Sequence, residues 1–317
     1  AGRLGFILPH KFFNAQYGEG LRKILSEGQH LSSIVHFGDQ QIFDGATTYT
    51  CLLFLDKAGS MECSFLKASN LSHWRSEGKA TAGKISSSNI GASDWNFNVG
   101  EGSGLFNKLS KMPQKLADVA HLFVGLQTDA DDVFILEQVR CAGRRVLCKS
   151  KALGKEHWFE NDHLKQFLKG SLNIRRYHFS DVTKRLIFPY ESIDGKSVLI
   201  DQAEYERRFP LTWAYIAENR SRLSARNKRQ MGANWHGYVY KKNHELMGTS
   251  KLLVPAIGTA ACFAPDIDGG FYFVGSGGGG GGGYGIRLLP EFSKSALYLL
   301  GLLNSRMLSH FLRRIST

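Results

Sequence analysis

The stretches RLGFILP at residues 3–9 and YGEGLRKILS at residues 17–26 decide the fold of the first part of the chain. The first is a short apolar run closed by a proline, which predicts a buried strand. In the second, Leu21, Ile24 and Leu25 share one helical face, and a glycine follows soon after them. The two stretches therefore predict one strand followed by one helix.

Two further apolar runs continue this pattern, LSSIVHF at residues 31–37 and YTCLLFL at residues 49–55. Both are rich in β-branched and aromatic residues, so we predict a pair of strands. The order strand, helix, strand, strand is how a mostly parallel α/β sheet with one antiparallel edge strand ends. Because four elements are too few for a whole sheet, we expect the remaining strands to lie upstream of residue 1.

The composition changes between residues 58 and 104. Segments such as KATAGKISSSNIGAS at residues 79–93 are rich in Ser, Gly, Lys and Asn and lack periodic apolar runs. This predicts a linker or an irregular excursion. From residue 105 onward strand-like and helix-like segments are mixed, and residues 293–312 are strongly amphipathic. We therefore expect an α+β domain over residues 105–317.

The charge balance indicates the class of partner. The 317 residues carry a formal net charge of +12, and the sequence pI is about 9.5. Such a surplus favours a polyanion, above all nucleic acid, because each phosphate that is neutralised releases condensed counterions. A basic protein without a polyanionic partner is the alternative.

Cysteine usage and hydropathy bear on location. The five cysteines form no CxxC pair, which disfavours a zinc site or a disulfide framework and favours a reducing compartment. No stretch approaches the roughly 18 uninterrupted apolar residues of a membrane span, and the first residues lack the pattern of a signal peptide. We expect a cytoplasmic protein with no membrane partner.

Catalytic motifs are absent from the sequence. It contains no HExxH, GxSxG or GxxxxGK[ST] motif and no two adjacent prolines. We interpret GEGSG at residues 100–104 as the entry to a helix, with a nucleotide-binding loop as the weaker alternative. PDIDGG at residues 265–270 suits a turn better than a metal site. We therefore predict no catalytic residue, no metal ligand and no cofactor-binding residue in this chain.

One basic and aromatic stretch, KGSLNIRRY at residues 169–177, is typical of a DNA contact. Lys169 and the small Gly170 would let the backbone approach a phosphate closely. Arg175 and Arg176 supply guanidinium groups for phosphates or for guanine edges, and Tyr177 supplies a stacking ring. Two exposed arginines at the end of a strand are the alternative.

A second set of predicted DNA contacts lies further along the chain. Arg226, Lys228 and Arg229 end a helix-like segment and run into Trp235 and Lys241. Cations interleaved with rings are used in nucleic-acid grooves, although positive residues in a last turn also suit the helix dipole.

Two isolated features complete the predicted DNA-binding set. Lys251 begins a strand-like run, and we expect it to contact a phosphate or a base edge. The glycine run at residues 277–283 is interpreted either as a loop that closes on DNA or as a plain connector.

Several motifs of the chain resemble the γ-class N6-adenine DNA methyltransferases related to the TaqI methylase and to the fused restriction–modification enzymes of Eco57I type. The segments that resemble the stretch after the catalytic motif of that family are GRLGFILP at 2–9, GLRKIL at 20–25 and TYTCLLFL at 48–55. The segments that resemble the TaqI-like C-terminal specificity domain are FVGLQT at 123–128, FLKGS at 167–171, IRRY at 174–177 and KLLVP at 251–255.

The resemblance implies a fold and a function. Residues 1–57 would be the C-terminal part of a Rossmann-like methyltransferase domain, and residues 105–317 would be a target-recognition domain that reads double-stranded DNA. The whole enzyme would transfer a methyl group from S-adenosylmethionine to adenine N6 in a restriction–modification system. The family's Asn-Pro-Pro-Tyr/Phe motif and its glycine-rich S-adenosylmethionine loop have no counterpart in this sequence. This chain alone is therefore expected to be inactive, and the catalytic region upstream is its expected partner.

Two other classes of function stay open from the sequence. One is a basic scaffold that binds nucleic acid or protein without reading a sequence. The other is a complete enzyme of unrelated chemistry, which turnover without S-adenosylmethionine would favour.

Overall fold

A computed structural model describes residues 2–46, 48–100, 102–226, 231–258, 260–275, 281–292 and 294–315. The chain divides into two compact units, the first made of Ala1–Pro113 with His310–Thr317 and the second of Gln114–Ser309. Among the described residues, no helix is both long and apolar enough to cross a membrane.

The first unit is built on a five-stranded sheet. Its strands are β1 (Arg3–Pro9), β2 (Leu31–His36), β3 (Thr50–Asp56), β4 (Glu62–Lys67) and β5 (Thr81–Ser86). Its helices are α1 (Glu19–Glu27), α2 (Leu71–Glu77) and α3 (Ser103–Ser110). The strand order is β1-β3-β2-β4-β5. The strand and helix predicted at the start of the chain and the pairing of β2 with β3 are confirmed, but the prediction that the first strand is buried is wrong, because β1 lies at the edge of the sheet and is largely exposed.

The direction of the strands differs from the expectation of a mostly parallel sheet. Helix α1 returns the chain so that β2 runs parallel to β1 but one place away, and β3 fills the gap antiparallel to both. Strand β4 is parallel to β2, and β5 is antiparallel to β4. Three of the four described pairings are therefore antiparallel.

Residues 58–104 are not an irregular excursion, which corrects the prediction made from their composition. They supply β4, α2 and β5, and the division between the two units follows Pro113 instead of residue 57 or 104. The hydrophobic pattern of β4 in the sequence is weak, because only Cys63 and Phe65 of this strand are buried. Ile90 and Trp95, which lie beyond β5, join the same core as Phe65.

The outer edge of the sheet carries exposed apolar side chains. Strand β1 ends the described sheet, since it pairs only with β3. Leu4, Phe6 and Ile7 are 51%, 50% and 48% exposed, and Ile24 of α1 is 64% exposed. An apolar edge strand with unpaired N–H and C=O groups is a template for another strand.

The second unit contains two larger sheets and two short ribbons. The six-stranded sheet has the order β18-β10-β13-β7-β8-β9 and the four-stranded sheet the order β17-β16-β19-β6. The strands are β6 (Ala120–Val124), β7 (Ile135–Ala142), β8 (Arg145–Ser150), β9 (Glu156–Glu160), β10 (Leu164–Leu168), β11 (Ile174–Arg175), β12 (His178–Phe179), β13 (Lys184–Ile187), β14 (Tyr190–Ile193), β15 (Lys196–Leu199), β16 (Lys251–Pro255), β17 (Ala264–Asp266), β18 (Phe271–Phe273) and β19 (Gly283–Leu288).

Short helices complete the second unit. They are α4 (Asp131–Phe134), α5 (Gly170–Asn173), α6 (Gln202–Arg208), α7 (Pro210–Glu218), α8 (Arg220–Ala225), α9 (His244–Met247) and α10 (Ala296–Leu303), and the last helix, α11 (Arg306–Ile315), crosses the division between the units. The mixed α and β character predicted for this part of the chain is confirmed.

The core of the second unit fixes the elements around its main cleft. Phe134, Leu136, Phe167 and Phe273 are almost completely buried and belong to one apolar cluster. Tyr215 joins this cluster, and its hydroxyl donates to the carbonyl of Val133 at 2.9 Å. Packing and hydrogen bonding together hold α4 in a defined place.

Candidate nucleic-acid interface

A cleft of about 1030 Å³ opens in the second unit. One wall is the 125–130 loop, which joins β6 to α4. The other walls come from the last residues of β8, from β10 and its successor Lys169, from Gly275, and from Gly281 within the glycine run. We call this space the lysine cleft, because lysine side chains from four separate segments line it.

The 125–130 loop is fixed at its start by close contact with β18. Leu126 N donates to Phe273 O at 2.9 Å, and Gly275 N donates to Leu126 O at 3.0 Å. A Cβ atom on Gly125 would lie 2.4 Å from the carbonyl carbon of Val274. Only glycine fits at this approach of two backbones.

The middle of the loop is fixed by Thr128, which is 1% exposed. Its hydroxyl donates to the Asp131 carboxylate and accepts from Ala130 N. Arg226 Nη1 donates to the carbonyl of Thr128 at 2.8 Å. The loop is therefore held from within and from a residue 98 positions away.

Three of the charged side chains in the lysine cleft are already in ion pairs. Lys184 forms an ion pair with Glu137, and Asp132 forms one with Arg222. Lys149, Lys151, Lys169 and Lys242 line the cleft, and none of them has a salt-bridge partner among the described residues. The internal pairs thus leave four ammonium groups without an ion pair among the described residues, of which Lys169 interacts electrostatically with Glu137 and Lys242 lies 6.0 Å from the centre of the Tyr240 ring.

Comparisons with known proteins give this cleft its context. The model of the Eco57I restriction-modification methylase family matches residues 1–43. The type II restriction enzyme and methyltransferase RM.Eco57I of Escherichia coli is 25% identical over 324 residues, which span 98% of this chain and 32% of that protein. The chain is related to the methyltransferases of type II restriction–modification systems. It spans about one third of the length of this curated relative.

A solved structure is similar in fold to this chain. The type IIL restriction-modification enzyme MmeI, in complex with DNA, covers 96% of this chain and 35% of its own chain, with a TM-score of 0.52 and 16% sequence identity. At this identity the likeness concerns the fold alone, a mixed α/β architecture with several sheets.

The first predicted set of DNA contacts is divided between the lysine cleft and other surfaces. Lys169 lines the cleft. Gly170 is buried, and a Cβ atom on it would lie 2.2 Å from Gly282 O. The close approach predicted for Gly170 is thus real, but its partner is the backbone of the chain itself. This corrects the prediction that Gly170 faces a phosphate.

Arg175, Arg176 and Tyr177 lie outside the lining of the lysine cleft. The guanidinium of Arg175 donates to Ser171 O at 2.7 Å and to Leu172 O at 2.9 Å, so it caps the turn of α5. Arg176 donates to the carbonyl of Asn304 and stands 5.4 Å from the centre of the Tyr177 ring. Tyr177 is 47% exposed. The alternative of surface arginines beside a strand describes this site well.

Three other residues that were predicted to contact DNA have their partners inside the protein. Their assignment to DNA is therefore corrected. Lys251 is 2% exposed, and its ammonium forms an ion pair with Asp266 at 2.5 Å. Trp235 is 4% exposed and packs 5.6 Å from Trp213, centre to centre. Arg226 points inward, where burial lowers the pKa of its guanidinium. None of these groups can reach a phosphate without rearranging the core.

The remaining predictions lie beside the cleft or outside the described residues. Lys241 is exposed and lines a smaller neighbouring cavity of about 430 Å³. Lys228 and Arg229 lie outside the described residues, as do residues 277–280 of the glycine run. Gly281 is described and forms part of the cleft wall.

Two lysines that characterise the cleft best, Lys149 and Lys151, were not among the residues predicted from the sequence. Lys149 and Lys151 are exposed on either side of the fully buried Ser150, so both project from the end of β8. Their alternation with a small residue was the available signal. Gln127 and Asp129 also line the cleft, but the polar run around them is typical of any turn.

Proposed function

We propose that this chain is the target-recognition part of an S-adenosylmethionine-dependent adenine-N6 DNA methyltransferase, and that duplex DNA binds along the lysine cleft. The observation that carries the proposal is the set of four lysines without ion-pair partners among the described residues, around one cleft of a restriction–modification methyltransferase relative. The net charge of +12 supports the same partner.

The cleft combines two properties that DNA recognition needs. Lysine ammonium groups bind phosphates as point charges, which sets the position of the duplex without reading its sequence. Base reading requires polar groups held in a fixed place near the groove. The 125–130 loop offers such groups, because Thr128 and Leu126 anchor its backbone on both sides of Gln127.

Methyl transfer is proposed for the whole enzyme and not for this chain. The sequence has no Asn-Pro-Pro-Tyr/Phe motif. Methylation of a base in a duplex requires the base to leave the stack and enter a separate pocket. The lysine cleft has no residues of the family's type for that step, so its role is to bind and orient DNA.

S-adenosylmethionine is proposed to bind outside this chain. Gly100 and Gly102 have φ values of +79° and +82° and lead into α3, but no strand precedes them as a dinucleotide-type loop requires. The prediction of a helix entry at this point is confirmed. We assign binding of S-adenosylmethionine, which supplies the methyl group, to the catalytic region.

The catalytic region is the second proposed partner, and β1 is where we place it. The edge of β1 has unpaired backbone groups and half-exposed Leu4, Phe6 and Ile7. A strand of the catalytic region would complete this edge and cover its apolar side chains. We also propose that the protein acts in the cytoplasm, where its DNA substrate would lie.

Binding of a defined duplex at several salt concentrations tests the proposal. The variant Lys149→Gln/Lys151→Gln should bind more weakly to all sequences, and the slope of log Kd against log salt should fall by about 1.8, since each phosphate contact contributes about 0.9. The matched control is Lys196→Gln/Lys294→Gln, two exposed lysines that do not line the cleft. An equal loss of slope in both variants would mean a nonspecific basic surface, and no loss in the first would remove the cleft from DNA binding.

A further inference from the structure

Asp129 is an exposed carboxylate in the lysine cleft. It lines the lysine cleft at the tip of the 125–130 loop. Its side chain has no hydrogen-bond or ion-pair partner among the described residues, whereas Asp131 and Asp132 are bonded to Thr128 and Arg222. Of these three acids, Asp129 is therefore the one whose carboxylate forms neither a hydrogen bond nor an ion pair within the described part of the chain, although its charge favours the charged form of the nearby Arg226.

The backbone presents Asp129 to the cleft in a defined direction. Burial alternates along the loop, because Leu126, Thr128 and Ala130 are 1%, 1% and 7% exposed while Gln127 and Asp129 are exposed. Asp129 has a φ of +56°, a conformation that Asp, Asn and Gly adopt most readily. The position thus suits a short polar side chain that points away from the core.

A free carboxylate is unfavourable where phosphates bind. It repels the anion that Lys149 and Lys169 attract, so it weakens any binding that depends on phosphates alone. DNA bases, in contrast, carry exocyclic amino groups that donate hydrogen bonds in the major groove. These are N4 of cytosine and N6 of adenine, and Asp or Glu accepts such bonds.

The loop has the rigidity that base reading requires. Thr128, next to Asp129 in the sequence, is held by Arg226 at 2.8 Å, and Ala130 on the other side donates to the Thr128 hydroxyl at 3.2 Å. A carboxylate held between two fixed residues loses little side-chain entropy on binding. A carboxylate in a fixed position can therefore favour one base over another.

We propose that Asp129 is a specificity-determining residue that accepts a hydrogen bond from the exocyclic amino group of a cytosine or an adenine in the target sequence. The inference rests on the proposed function, since it requires duplex DNA in the lysine cleft. It assigns phosphate binding to the lysines and sequence reading to the loop.

The test selects sequences from a random duplex pool with the wild-type chain, Asp129→Asn and Asp129→Gly. Both substitutes tolerate positive φ, so the loop conformation is kept. Asp129→Gly should lose the preference for an amino-bearing base at one position of the wild-type motif. Its affinity for the wild-type site should fall about 5- to 150-fold, as expected for one lost base contact. Asp129→Asn should prefer adenine at that same position, because Asn pairs best with adenine.

The outcomes separate this inference from the proposed function. Asp268→Asn, an exposed acid outside the cleft lining, is the control and should select the wild-type motif. If Asp129→Gly selects the unchanged motif, or binds every sequence more tightly by the same factor, Asp129 is not a reader, while recognition by the chain stands. If the wild-type chain itself enriches no motif, the proposed function and this inference both fail.

Discussion

Arg226 donates a hydrogen bond of 2.8 Å to the main-chain carbonyl of Thr128, although the two residues are 98 positions apart in the sequence. The other arm of the same guanidinium donates to Trp235 O and Gly237 O, both at 2.9 Å. Its carbon lies 5.4 Å from the centre of the Phe134 ring. One arginine thus joins the loop of the lysine cleft to the segment after the described end of α8.

The first prediction separates positioning by Arg226 from direct contact with DNA. Arg226→Lys keeps the charge but cannot serve three carbonyl groups in a planar fork. We expect it to lower the free energy of unfolding by about 1–3 kcal/mol. It should also weaken DNA binding without changing the salt slope. Denaturant titration and salt-dependent binding measure both effects.

The control for Arg226 is Arg144→Lys, an exposed arginine paired with Asp162 on the surface. It should leave both quantities unchanged, since exposed ion pairs contribute little. A second variant, Arg226→Gln, removes the charge as well. If this variant lost about 0.9 of the salt slope with unchanged stability, Arg226 would be a phosphate contact after all.

The second prediction concerns the buried pair of Lys251 and Asp266. The lysine ammonium also donates to Met247 O at 2.6 Å and to Thr249 O at 3.2 Å. Lys251→Met leaves the Asp266 carboxylate buried without its counter-ion, and we expect a loss of about 3–5 kcal/mol in unfolding free energy. Lys251→Met/Asp266→Asn should recover part of that loss. Equal stability of Lys251→Met and the wild type would contradict the structural role.

The third prediction concerns the pH dependence of stability. Burial, followed by the charges of Lys165 and Arg208, lowers the pKa of His163 from 6.5 to about 3. The imidazole is therefore neutral in the folded chain, and the unfolded chain takes up a proton below pH 6.5. The contribution of His163 is complete above pH 6.5 and decreases as the pH falls toward 3, by about 1.4 kcal/mol per pH unit.

Urea unfolding of His163→Gln between pH 7 and pH 4, followed by tryptophan fluorescence, tests this sign. The variant should lose less stability on acidification than the wild type. Tyr205→Phe is the matched control: it removes the hydroxyl that lies 2.6 Å from His163 Nε2 but keeps the imidazole buried. It should be less stable throughout with the wild-type pH slope. A parallel pH profile for His163→Gln would contradict the prediction.

The fourth prediction concerns the apolar edge of β1. Without a strand against this edge, the chain should self-associate as its concentration rises. Ile7→Lys places a charge on the edge and should reduce that association in sedimentation velocity. Met61→Lys, which replaces an 85% exposed side chain outside β1, should not. Association that both variants reduce equally would place the contact elsewhere.

How much of the fold the sequence predicts depends on the strength of each local pattern. The run at residues 3–9 and the helix after it follow clear periodicities, so they could be placed correctly. Strands β4 and β5 are short and have few buried positions, and their composition predicts a linker. Their place in the sheet is shown by the pairing of β4 with β2 and of β5 with β4.

The roles of the charged residues in the candidate site could be predicted from the sequence only in part. A lysine looks the same in sequence whether it meets a phosphate or a buried carboxylate. Lys251 has its partner 15 positions away in a neighbouring strand, and nothing in the sequence marks that pair. Lys149 and Lys242 lie far apart in the chain, and only the fold brings them to one cleft. Lys169 could be chosen from sequence because a glycine and two arginines follow it closely.

Retention of random duplex DNA by the chain at two salt concentrations, with sequencing of the retained pool, tests the central claim most directly. The account predicts an enriched motif that contains an adenine and persists at the higher salt, because base contacts do not depend on counterion release. Binding that disappears at the higher salt and leaves no motif would contradict sequence reading by this chain.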